Sequence, residues 1–494
     1  MLFLGIDLGT SSIKVSVVEA DSQKTLCSVQ YPETEEEIIS PRAGWAEQDP
    51  ERWWINTRQA IQKAHATQKY NPLDIVAIGI AYQMHGLVVV DKEQQSLRNS
   101  IIWCDSRAIE IGNKAFDVIG KSYNLQHHLN SPGNFTASKL SWVKENETHT
   151  YKQVHKVMLP GDFIAAKLTG EITSSISSLS EGVFWDFQNN RLSESILNYF
   201  GFDESLFPEI KPVFSEHGQI QPVIAHELGL SSQVRVTYKA GDQPNNALSL
   251  NVLEPGEVAS TAGTSGVIYG ISDQLVYDNE SRINTFAHVN YLPDKIRTGI
   301  LLCINGTGIL YSWAKKLLAK ELSYSEMNKI AQSISSGSNG LRILPFGNGA
   351  ERMLNNKLIG AHLANIDFNQ HSTAHILKAI QEGIAFSFRY GLDIMKENGL
   401  IPKIIKAGNS NLFLSEVFQK DYVNATQIPV ELYENDGSVG AALGAGIGSG
   451  YYKTPSEAFK NIRKIKTIEP QETEVYEEIY QEWKELLNEK LKTT

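Results

Sequence analysis

Apolar residues in the first half of the chain occur in short runs separated by turns rich in glycine, proline and polar residues. Runs of this length that contain many β-branched side chains are typical of strands. We predict strands over residues 2–8, 13–19, 25–31, 74–82, 87–91 and 234–240. The first three follow one another closely, which indicates consecutive antiparallel strands.

Helices are predicted where apolar residues recur at helical spacing. One begins after Asp49, which can accept first-turn N–H groups, and at Pro50, whose fixed φ suits that turn. It places Trp54, Ile61 and Ala64 near one face. Further helices are predicted over residues 162–168, 374–396, 414–424 and 474–491, and further strands over 403–406 and 429–433. This mixture of helices and strands predicts an α/β protein.

The tripeptide Gly-Thr-Ser occurs twice, at residues 9–11 and 263–265, about half the chain apart. Each copy lies between two β-rich stretches and predicts a hairpin. Glycine lets backbone N–H groups approach an oxyanion and the hydroxyls add donors, so both turns suit phosphate. Asp7 precedes the first copy, whereas Thr261 stands at the matching place in the second. We expect two related lobes that close on one polyphosphate, with an acidic residue on one lobe only.

The length of 494 residues is too great for one hydrophobic core, so several domains are expected. We predict an N-terminal lobe over 1–240, a C-terminal lobe over 241–450 and a helical tail over 451–494 that packs on the lobes. The formal charge of -11 argues against a nucleic-acid partner. Three scattered cysteines indicate no disulfide framework. Without a signal-like start or a membrane-length apolar run, a cytoplasmic protein is expected.

Two aspartates follow predicted strands near the repeated turns. Asp7 could hold a magnesium ion through water beside nucleotide phosphates, although an aspartate here also caps turns. Asp242 could accept the proton of an attacking hydroxyl, as phosphoryl transfer requires, and could also begin a helix. The two roles of Asp242 are compatible. Lys14 lies on the same predicted strand face as Thr10, from which its ammonium could reach a phosphate.

Candidate sugar ligands also lie in the first half. Met84 and His85 occupy a loop between two predicted strands, where a lone histidine is more often structural. Trp103 and Asp105 could stack on a sugar and bind its hydroxyls. An ion pair between Asp105 and Arg107 would give the same pattern, so the residues alone leave both interpretations open.

Together these segments resemble the carbohydrate kinases related to glycerol kinase and gluconokinase, and within them the xylulose kinases. The resemblance spans nearly the whole chain and is carried by residues 5–11, 83–86, 103–107, 138–142, 240–242, 261–265, 407–409 and 437–450. It implies two ribonuclease-H-like lobes of the actin-like ATPase kind, with the active site in the cleft between them.

The resemblance also implies roles for individual residues. Asp242 would be the catalytic base, and Asp7 a catalytic residue linked to Mg²⁺ through water. The implied substrate contacts are Met84, His85, Trp103, Asp105, Asp242 and Gln243. The implied ATP contacts are Thr10, Ser11, Lys14, Gly263, Thr264, Gly308, Gly408 and Asn409, with the run 437–450 at the adenosine end. The expected partners are a sugar and ATP, without nucleic acid or membrane, and a homodimer is left open.

The implied reaction is ATP-dependent phosphorylation of a small ketose, and D-xylulose is the leading candidate for that ketose. Gln243 stands where the family usually has Asn, which keeps ribulose, gluconate and glycerol as alternative substrates. Ala407 replaces a family glycine, and residues 349–354 depart from the usual Gly-Glu-Arg-Thr-Pro stretch. Outside the kinases, a nucleotide-switched protein of the actin or chaperone class is the alternative. That class shares the two hairpins but needs neither the base nor the sugar loop.

Overall fold

The computed structural model describes residues 1–494 and contains two large sheets with helices packed around them. The elements up to residue 249 are, in chain order, β1 (Leu2–Leu8), β2 (Ile13–Glu19), β3 (Thr25–Tyr31), β4 (Glu47–Gln48), α1 (Pro50–Ala66), β5 (Ile75–Tyr82), β6 (Val88–Val90), β7 (Ser100–Ile101), α2 (Ile109–Ile119), α3 (Lys121–His128), α4 (Thr136–Asn146), α5 (Thr148–Tyr151), β8 (Lys156–Met158), α6 (Pro160–Thr169), β9 (Thr173–Ser174), α7 (Ile176–Glu181), β10 (Trp185–Asp186), β11 (Arg191–Leu192), α8 (Glu194–Phe200), β12 (Glu209–Ile210), β13 (Phe214–Gln219), α9 (Pro222–Leu228), β14 (Arg235–Gly241) and α10 (Asp242–Ser249).

The remaining elements build the second large sheet and its helices. They are β15 (Glu257–Ala262), β16 (Gly266–Ser272), β17 (Asn284–Ala287), β18 (Thr298–Ile304), α11 (Gly308–Leu318), α12 (Tyr324–Gln332), β19 (Arg342–Phe346), β20 (Gly360–Ala364), α13 (Thr373–Glu397), β21 (Ile404–Gly408), α14 (Glu416–Thr426), β22 (Val430–Tyr433), α15 (Gly437–Gly448), α16 (Pro455–Ala458), β23 (Lys464–Ile468) and α17 (Thr473–Thr493). Short 3₁₀ segments lie at Pro72–Asp74, Glu204–Leu206, Ser338–Gly340, Arg352–Leu354 and Asn411–Leu414.

The two large sheets repeat the same order of strands. The first runs β13-β14-β5-β1-β2-β3, and the second, read from the matching edge, runs β23-β22-β21-β15-β16-β18-β17. In both, three central strands are parallel and the strands outside them are antiparallel. The repeat confirms the predicted pair of related lobes, and each Gly-Thr-Ser turn joins an equivalent pair of strands, β1–β2 and β15–β16.

Helix α1 forms where its capping residue and apolar stripe predict it. The Asp49 side chain accepts the N–H of Glu51 at 2.9 Å, and Pro50 occupies the first turn. Trp53, Trp54 and other apolar residues of α1 are buried against β2 and β3. Burial of such a stripe, at about 25 cal/mol per Å², stabilises the helix more than its intrinsic propensity does.

Helix α15 packs on the first sheet although it follows the strands of the second. A Cβ on Gly5 of β1 would lie 1.8 Å from the carbonyl oxygen of Ser438, and one on Gly79 of β5 would lie 1.9 Å from that of Ala441. Only glycine therefore allows this approach. The expectation that the whole run 437–450 lies by the nucleoside is wrong, because α15 contacts β1, β5 and β14. The division of the chain at residue 240 stays a prediction.

The C-terminal helix α17 packs against α13, α14 and β19 of the second lobe. Trp483 is fully buried and donates its indole N–H to the carbonyl of Ile343 at 2.8 Å. None of the helices combines the length and the apolar character that crossing a lipid bilayer requires.

Candidate active site

Asp7 and Asp242 occupy the ends of two strands that flank the same central strand. Asp7 of β1 lies opposite Ala81 of β5, and Ala240 of β14 lies opposite the same Ala81 from the other side. Asp242 comes two residues after Ala240, as the first residue of α10. Because the carboxyl ends of parallel strands meet at one edge, the sheet brings the two predicted catalytic carboxylates together.

Burial and neighbouring negative charges raise the pKa values of both carboxyl groups. Burial raises the pKa of Asp242 to about 7, with the negative charge of Asp7 acting in the same direction. Hydrogen bonds from Gln243 oppose both effects. Burial and the charge of Asp436 raise the pKa of Asp7 to about 6, against the opposing charge of Lys14. A carboxyl group with a pKa near neutrality is well matched to general-base catalysis.

The first Gly-Thr-Ser turn closes the β1–β2 hairpin beside Asp7. The Thr10 hydroxyl donates to Gln83 Oε1 at 3.3 Å and accepts the indole N–H of Trp103 at 3.0 Å. The Ser11 side chain is exposed and makes no hydrogen bond within the protein. Thr10 thus links the hairpin to the predicted sugar residues, and Ser11 keeps a free hydroxyl for a ligand.

A set of acidic oxygens at the start of α15 could hold a divalent cation. Asp436 caps α15 and pairs with Lys14 Nζ at 2.5 Å. A Cβ on the next residue, Gly437, would lie 2.5 Å from Asp7 Oδ2, so the helix begins directly beside that carboxylate. Hard cations such as Mg²⁺ prefer carboxylate and water oxygens, and a cation would relieve the repulsion between Asp7 and Asp436. Two carboxylates are too few to enclose the ion directly, so the residues present fit a magnesium ion that is bound through water.

The second Gly-Thr-Ser turn is fixed by the start of α11. The carbonyl of Gly263 accepts the N–H of Gly308 at 2.9 Å, and that of Thr264 accepts the N–H of Ile309 at 3.1 Å. A Cβ on Gly308 would lie 2.4 Å from the Gly263 oxygen, so only glycine fits there. The structure therefore brings together three of the predicted ATP contacts.

A cavity of about 880 Å³ opens next to this turn. Gly263, Thr264 and Gly308 line one end, and Tyr311, Tyr324 and residues of α12 and α14 line the rest. The rings of Tyr311 and Tyr324 are nearly parallel, with centroids 5.8 Å apart. A volume of this size, with aromatic walls and a phosphate-type turn at one end, is suitable for a nucleoside.

Gly408 and Asn409 lie at the end of β21, between the second turn and the start of α15. A Cβ on Gly408 would make ordinary contact, 3.4 Å, with Asn435, the residue before Asp436. The backbone N–H of Asn409 bonds the carbonyl of Tyr433 at 2.9 Å. The loop continues to Asn411, whose side chain lies in the 880 Å³ cavity. Gly408 and Asn409 themselves lie beside that cavity.

The predicted sugar loop lies against the strand that leads to Asp242. Met84 is buried, and a Cβ on Gly241 would lie 2.6 Å from its Cγ. His85 has φ of 62°, a left-handed conformation that is uncommon for a residue other than glycine. Its ring packs edge-on against Phe135, with centroids 4.8 Å apart. The structure thus brings Met84 and His85 close to the predicted base.

The hydrogen bonds of His85 define the state of its ring. Nδ1 lies 3.0 Å from the carbonyl oxygen of Glu181, which can only accept, so Nδ1 carries the proton. Burial and the charge of Lys139 lower the pKa of His85 to about 3. The ring is therefore neutral, and its Nε2 is an acceptor for a ligand hydroxyl.

The structure does not bring Asp105 to the same place as Met84 and His85. Its carboxylate is fully buried, with bidentate bonds from Arg107 at 2.7 to 3.0 Å and a 2.6 Å bond from the Ala46 N–H. Contact between Asp105 and a sugar would require this ion pair to open. Trp103 is exposed and reaches Thr10, and Gln243 is the second residue of α10, directly after Asp242.

A comparison with known protein families gives a family that is consistent with this site. The model of the N-terminal domain of the FGGY family of carbohydrate kinases matches residues 2–249, half of the chain. The chain belongs to the FGGY family of carbohydrate kinases. It is accordingly a sugar kinase that uses ATP, with the actin-like ATPase fold.

Relatives of this kinase align over nearly its whole length. A xylulose kinase of Staphylococcus xylosus is 28% identical over 92% of both chains. A xylulose kinase of Bacillus subtilis (strain 168) is 28% identical over 98% of this chain and 97% of its own. The crystal structure of a xyloylose kinase from Brucella ovis superposes with a TM-score of 0.88, at 26% identity and 98% coverage of both chains.

Three residues near the cleft are absent from the predicted site. Lys139 is buried and donates to the carbonyls of His85 and Ile102 at 2.9 and 3.0 Å, which joins the two sugar segments. Glu351 accepts the N–H groups of Asn305 and Gly306 ahead of α11. The family-like segment 138–142 contained a signal for Lys139. For Glu351 and Arg352 the only signal was a segment that departs from the family pattern.

Arg352 is partly buried in the second lobe and forms no ion pair. Its guanidinium makes one long bond, 3.4 Å, to the carbonyl of Ser281. Its positive charge adds to the lowering of the pKa of His85, and it opposes the rise that burial and the charge of Asp242 cause in the pKa of Cys303. An arginine without a carboxylate partner in such a place is suited to an anionic ligand.

Proposed function

We propose that this kinase transfers the γ-phosphoryl group of ATP to a primary hydroxyl of D-xylulose, giving D-xylulose 5-phosphate. One observation carries the proposal: Asp242 follows a strand end that lies beside Asp7 of the first lobe and against the Met84–His85 loop. Both xylulose kinases compared above align with at least nine-tenths of the chain, which supports the choice of sugar.

Asp242 is the base of the proposed reaction. Its carboxylate accepts the proton of the sugar hydroxyl while the hydroxyl oxygen forms a bond to the γ-phosphorus. The bond between that phosphorus and the bridging oxygen breaks, and ADP leaves. The N–H and side-chain amide of Gln243 bond the Asp242 carboxylate and keep part of it ionised near neutral pH.

The turn residues of both lobes bind the phosphates in this proposal. Lys14 and the Ser11 hydroxyl act from the first lobe, and Gly263 and Thr264 act from the second. Asp7 would hold a magnesium ion through water, with Asp436 beside it, and the bound ion would supply positive charge to the phosphate oxygens. Arg352 is assigned to the transferred phosphoryl group, because it forms no ion pair and its charge acts on His85 of the sugar loop.

The sugar is held by the Met84–His85 loop. His85 Nε2 accepts a hydroxyl hydrogen, since its neutral ring leaves that nitrogen without a proton. Met84 forms an apolar floor against Gly241, and Trp103 covers the ligand from the solvent side. Gly308, Gly408 and Asn409 are assigned to the nucleoside, at and beside the 880 Å³ cavity.

A coupled assay of ADP release over a panel of sugars tests the proposal. D-Xylulose is expected to give the highest kcat/KM, with ribulose, gluconate and glycerol far lower. If another member of the panel is preferred, the extra methylene of Gln243 is the first structural explanation. Equal ADP release with and without sugars would indicate a nucleotide switch and reject the kinase proposal for ketoses.

The proposal includes a cytoplasmic location, supported by three cysteines that form no disulfide. It leaves a homodimer as the alternative to a monomer. Sedimentation at several protein concentrations distinguishes the two, since a dimer dissociates on dilution.

A further inference from the structure

Glu181 is a buried carboxyl group that has no role in the reaction proposed above. It ends α7 and is 1% exposed. Its Oε2 has no hydrogen-bond partner. Most buried polar atoms in proteins are paired, so an unpaired carboxyl oxygen next to a site needs an explanation.

Glu181 holds the strained residue of the sugar loop. Its Oε1 accepts the backbone N–H of His85 at 3.4 Å, and its carbonyl accepts the ring Nδ1–H at 3.0 Å. A left-handed conformation at a residue other than glycine persists only where its surroundings fix it. Glu181 and Lys139, which bonds the His85 carbonyl, are the polar groups that fix it here.

The same carboxyl group lies against the strand that leads to Asp242. A Cβ on Gly241 would lie 2.6 Å from Glu181 Oε2 and 2.6 Å from Met84 Cγ. Glu181 therefore sets the distance between the sugar loop and the backbone that bears the base. A change of about 1 Å in such a distance is sufficient to slow a reaction strongly.

The surroundings of Glu181 favour its uncharged form. Burial raises the pKa of Glu181 well above its usual value, and the charges of Asp242 and Asp162 act in the same direction. The groups that face it are Tyr82, His85, Lys139, Asp162, Asp242 and Tyr269. An uncharged Glu181 adds no further negative charge to those of Asp7 and Asp242 when the base ionises.

We propose that Glu181 is a positioning residue that acts as an uncharged acid, holding His85 and Met84 against Gly241 so that the sugar hydroxyl meets Asp242. This inference rests on the proposed function, because it assigns the loop to the sugar. Chemically, the required group is neutral, planar and able to accept one hydrogen bond at Oε1.

Two substitutions with opposite expected results test this role. Glu181→Gln keeps the shape and the neutral state, so kcat/KM for the ketose should stay within about threefold of wild type, with an unchanged pH profile. Glu181→Ala leaves the His85 N–H unpaired, which should lower kcat/KM about 10- to 100-fold through KM for the sugar. KM for ATP should not change. Glu145→Gln, an exposed carboxyl in α4, is the matched control.

Either of two kinetic results would overturn the proposal. An impaired Glu181→Gln variant with a shifted acid limb would mean that the ionised carboxylate takes part in proton transfer. A fully active Glu181→Ala variant would mean that Glu181 has no part in positioning.

A stability measurement gives an answer that does not depend on the sugar. Because the pKa of Glu181 is raised on folding, the free energy of unfolding of the wild type should fall as pH rises from the ordinary glutamate pKa of 4.5 up to the raised pKa of the folded state. Glu181→Gln removes this loss, so its Tm relative to wild type should increase with pH over that range. At neutral pH, the infrared spectrum of the wild type should contain a carbonyl band of a protonated carboxyl group that the spectrum of Glu181→Gln lacks. A Tm difference that does not change with pH, together with no such lost band, would show that Glu181 is not an uncharged acid.

These two sets of measurements separate the inference from the proposed function. If the wild type phosphorylates no ketose, the proposed function is wrong, and the stability and infrared results still decide the state of Glu181. If the wild type is active and Glu181→Ala is equally active, only the positioning role is wrong.

Discussion

Asp7 and Asp242 lie at the ends of strands on either side of β5, and burial together with the negative charge of Asp7 raises the pKa of Asp242. The residue proposed to hold the metal thus also strengthens the proposed base. The two aspartates come from distant parts of the chain, so the parallel strand order of the first sheet is what creates the pair. The reaction assigned to this site leads to the following predictions.

Replacing the base should remove sugar phosphorylation and leave nucleotide binding intact. Asp242→Asn keeps the shape but cannot accept the proton, so kcat should fall about 10²- to 10⁴-fold. The Kd for ATP, measured by calorimetry, should change little, because the nucleoside cavity lies in the other lobe. Near-normal turnover in this variant would reject Asp242 as the base.

The activity should depend on a proton that Asp242 must lose. Since its pKa is about 7 in the free protein, kcat/KM for the sugar should fall as pH decreases below about 7.

Without the charge of Asp7, the pKa of Asp242 should move down, because the like-charge repulsion is gone. Carboxyl carbon NMR of metal-free wild type and Asp7→Asn measures this change. An unchanged or higher pKa in Asp7→Asn would show that the two groups do not interact.

Lys139 should act on the sugar side only. Lys139→Met removes the donor to the His85 and Ile102 carbonyls, at a cost of about 1–3 kcal/mol for each unpaired group. KM for the sugar should rise about tenfold or more, while KM for ATP stays constant. Lys121→Met, at an exposed lysine of α3, is the control. Equal effects on both Michaelis constants would indicate a general loss of structure.

Gly308 and Gly408 should respond differently to the same added methyl group. The Cβ of Gly308→Ala would meet the Gly263 oxygen at 2.4 Å, whereas that of Gly408→Ala makes ordinary contact at 3.4 Å. Overpacking of this kind costs about 1–3 kcal/mol, and here it would displace the second phosphate turn. Gly308→Ala should weaken ATP binding about tenfold or more, and Gly408→Ala much less. Equal affinities in both variants would contradict the role of the turn.

Arg352 should contribute to the chemical step more than to binding. Loss of one donor that stabilises the transition state typically lowers kcat about 10²- to 10³-fold. The kcat of Arg352→Ala should therefore fall by that factor, and the kcat of Arg352→Lys should fall less. Arg42→Ala, at an exposed arginine, is the control. Unchanged kcat in Arg352→Ala would show that the guanidinium lies away from the reacting phosphate.

The sequence predicted the parts of this protein that depend on local pattern. The repeated Gly-Thr-Ser turns led to the duplicated lobes, and Asp7 and Asp242 are adjacent because each ends a strand of predictable position. The packing of α15 on the first sheet was missed, since it depends on glycines 5 and 79 in distant strands that leave room for the helix.

The partners of charged side chains were only partly predictable from the sequence. Asp105 could be a sugar ligand or a partner of Arg107, and the folded chain surrounds it with donors from Arg107 and Ala46. Glu181 gave no signal, because nothing near it in the chain shows that Gly241 and His85 will lie against its carboxyl group. Such contacts come from tertiary packing and follow from no local pattern.

The product formed from ATP and D-xylulose tests the central proposal most directly. The protein is incubated with both substrates, and the products are identified by phosphorus NMR and mass spectrometry, with Asp242→Asn in parallel. The predicted result is one ADP for each D-xylulose 5-phosphate, with initial rates of both products at least about 100-fold lower in the Asp242→Asn sample. ADP without a phosphorylated sugar, or equal product in both samples, would contradict it.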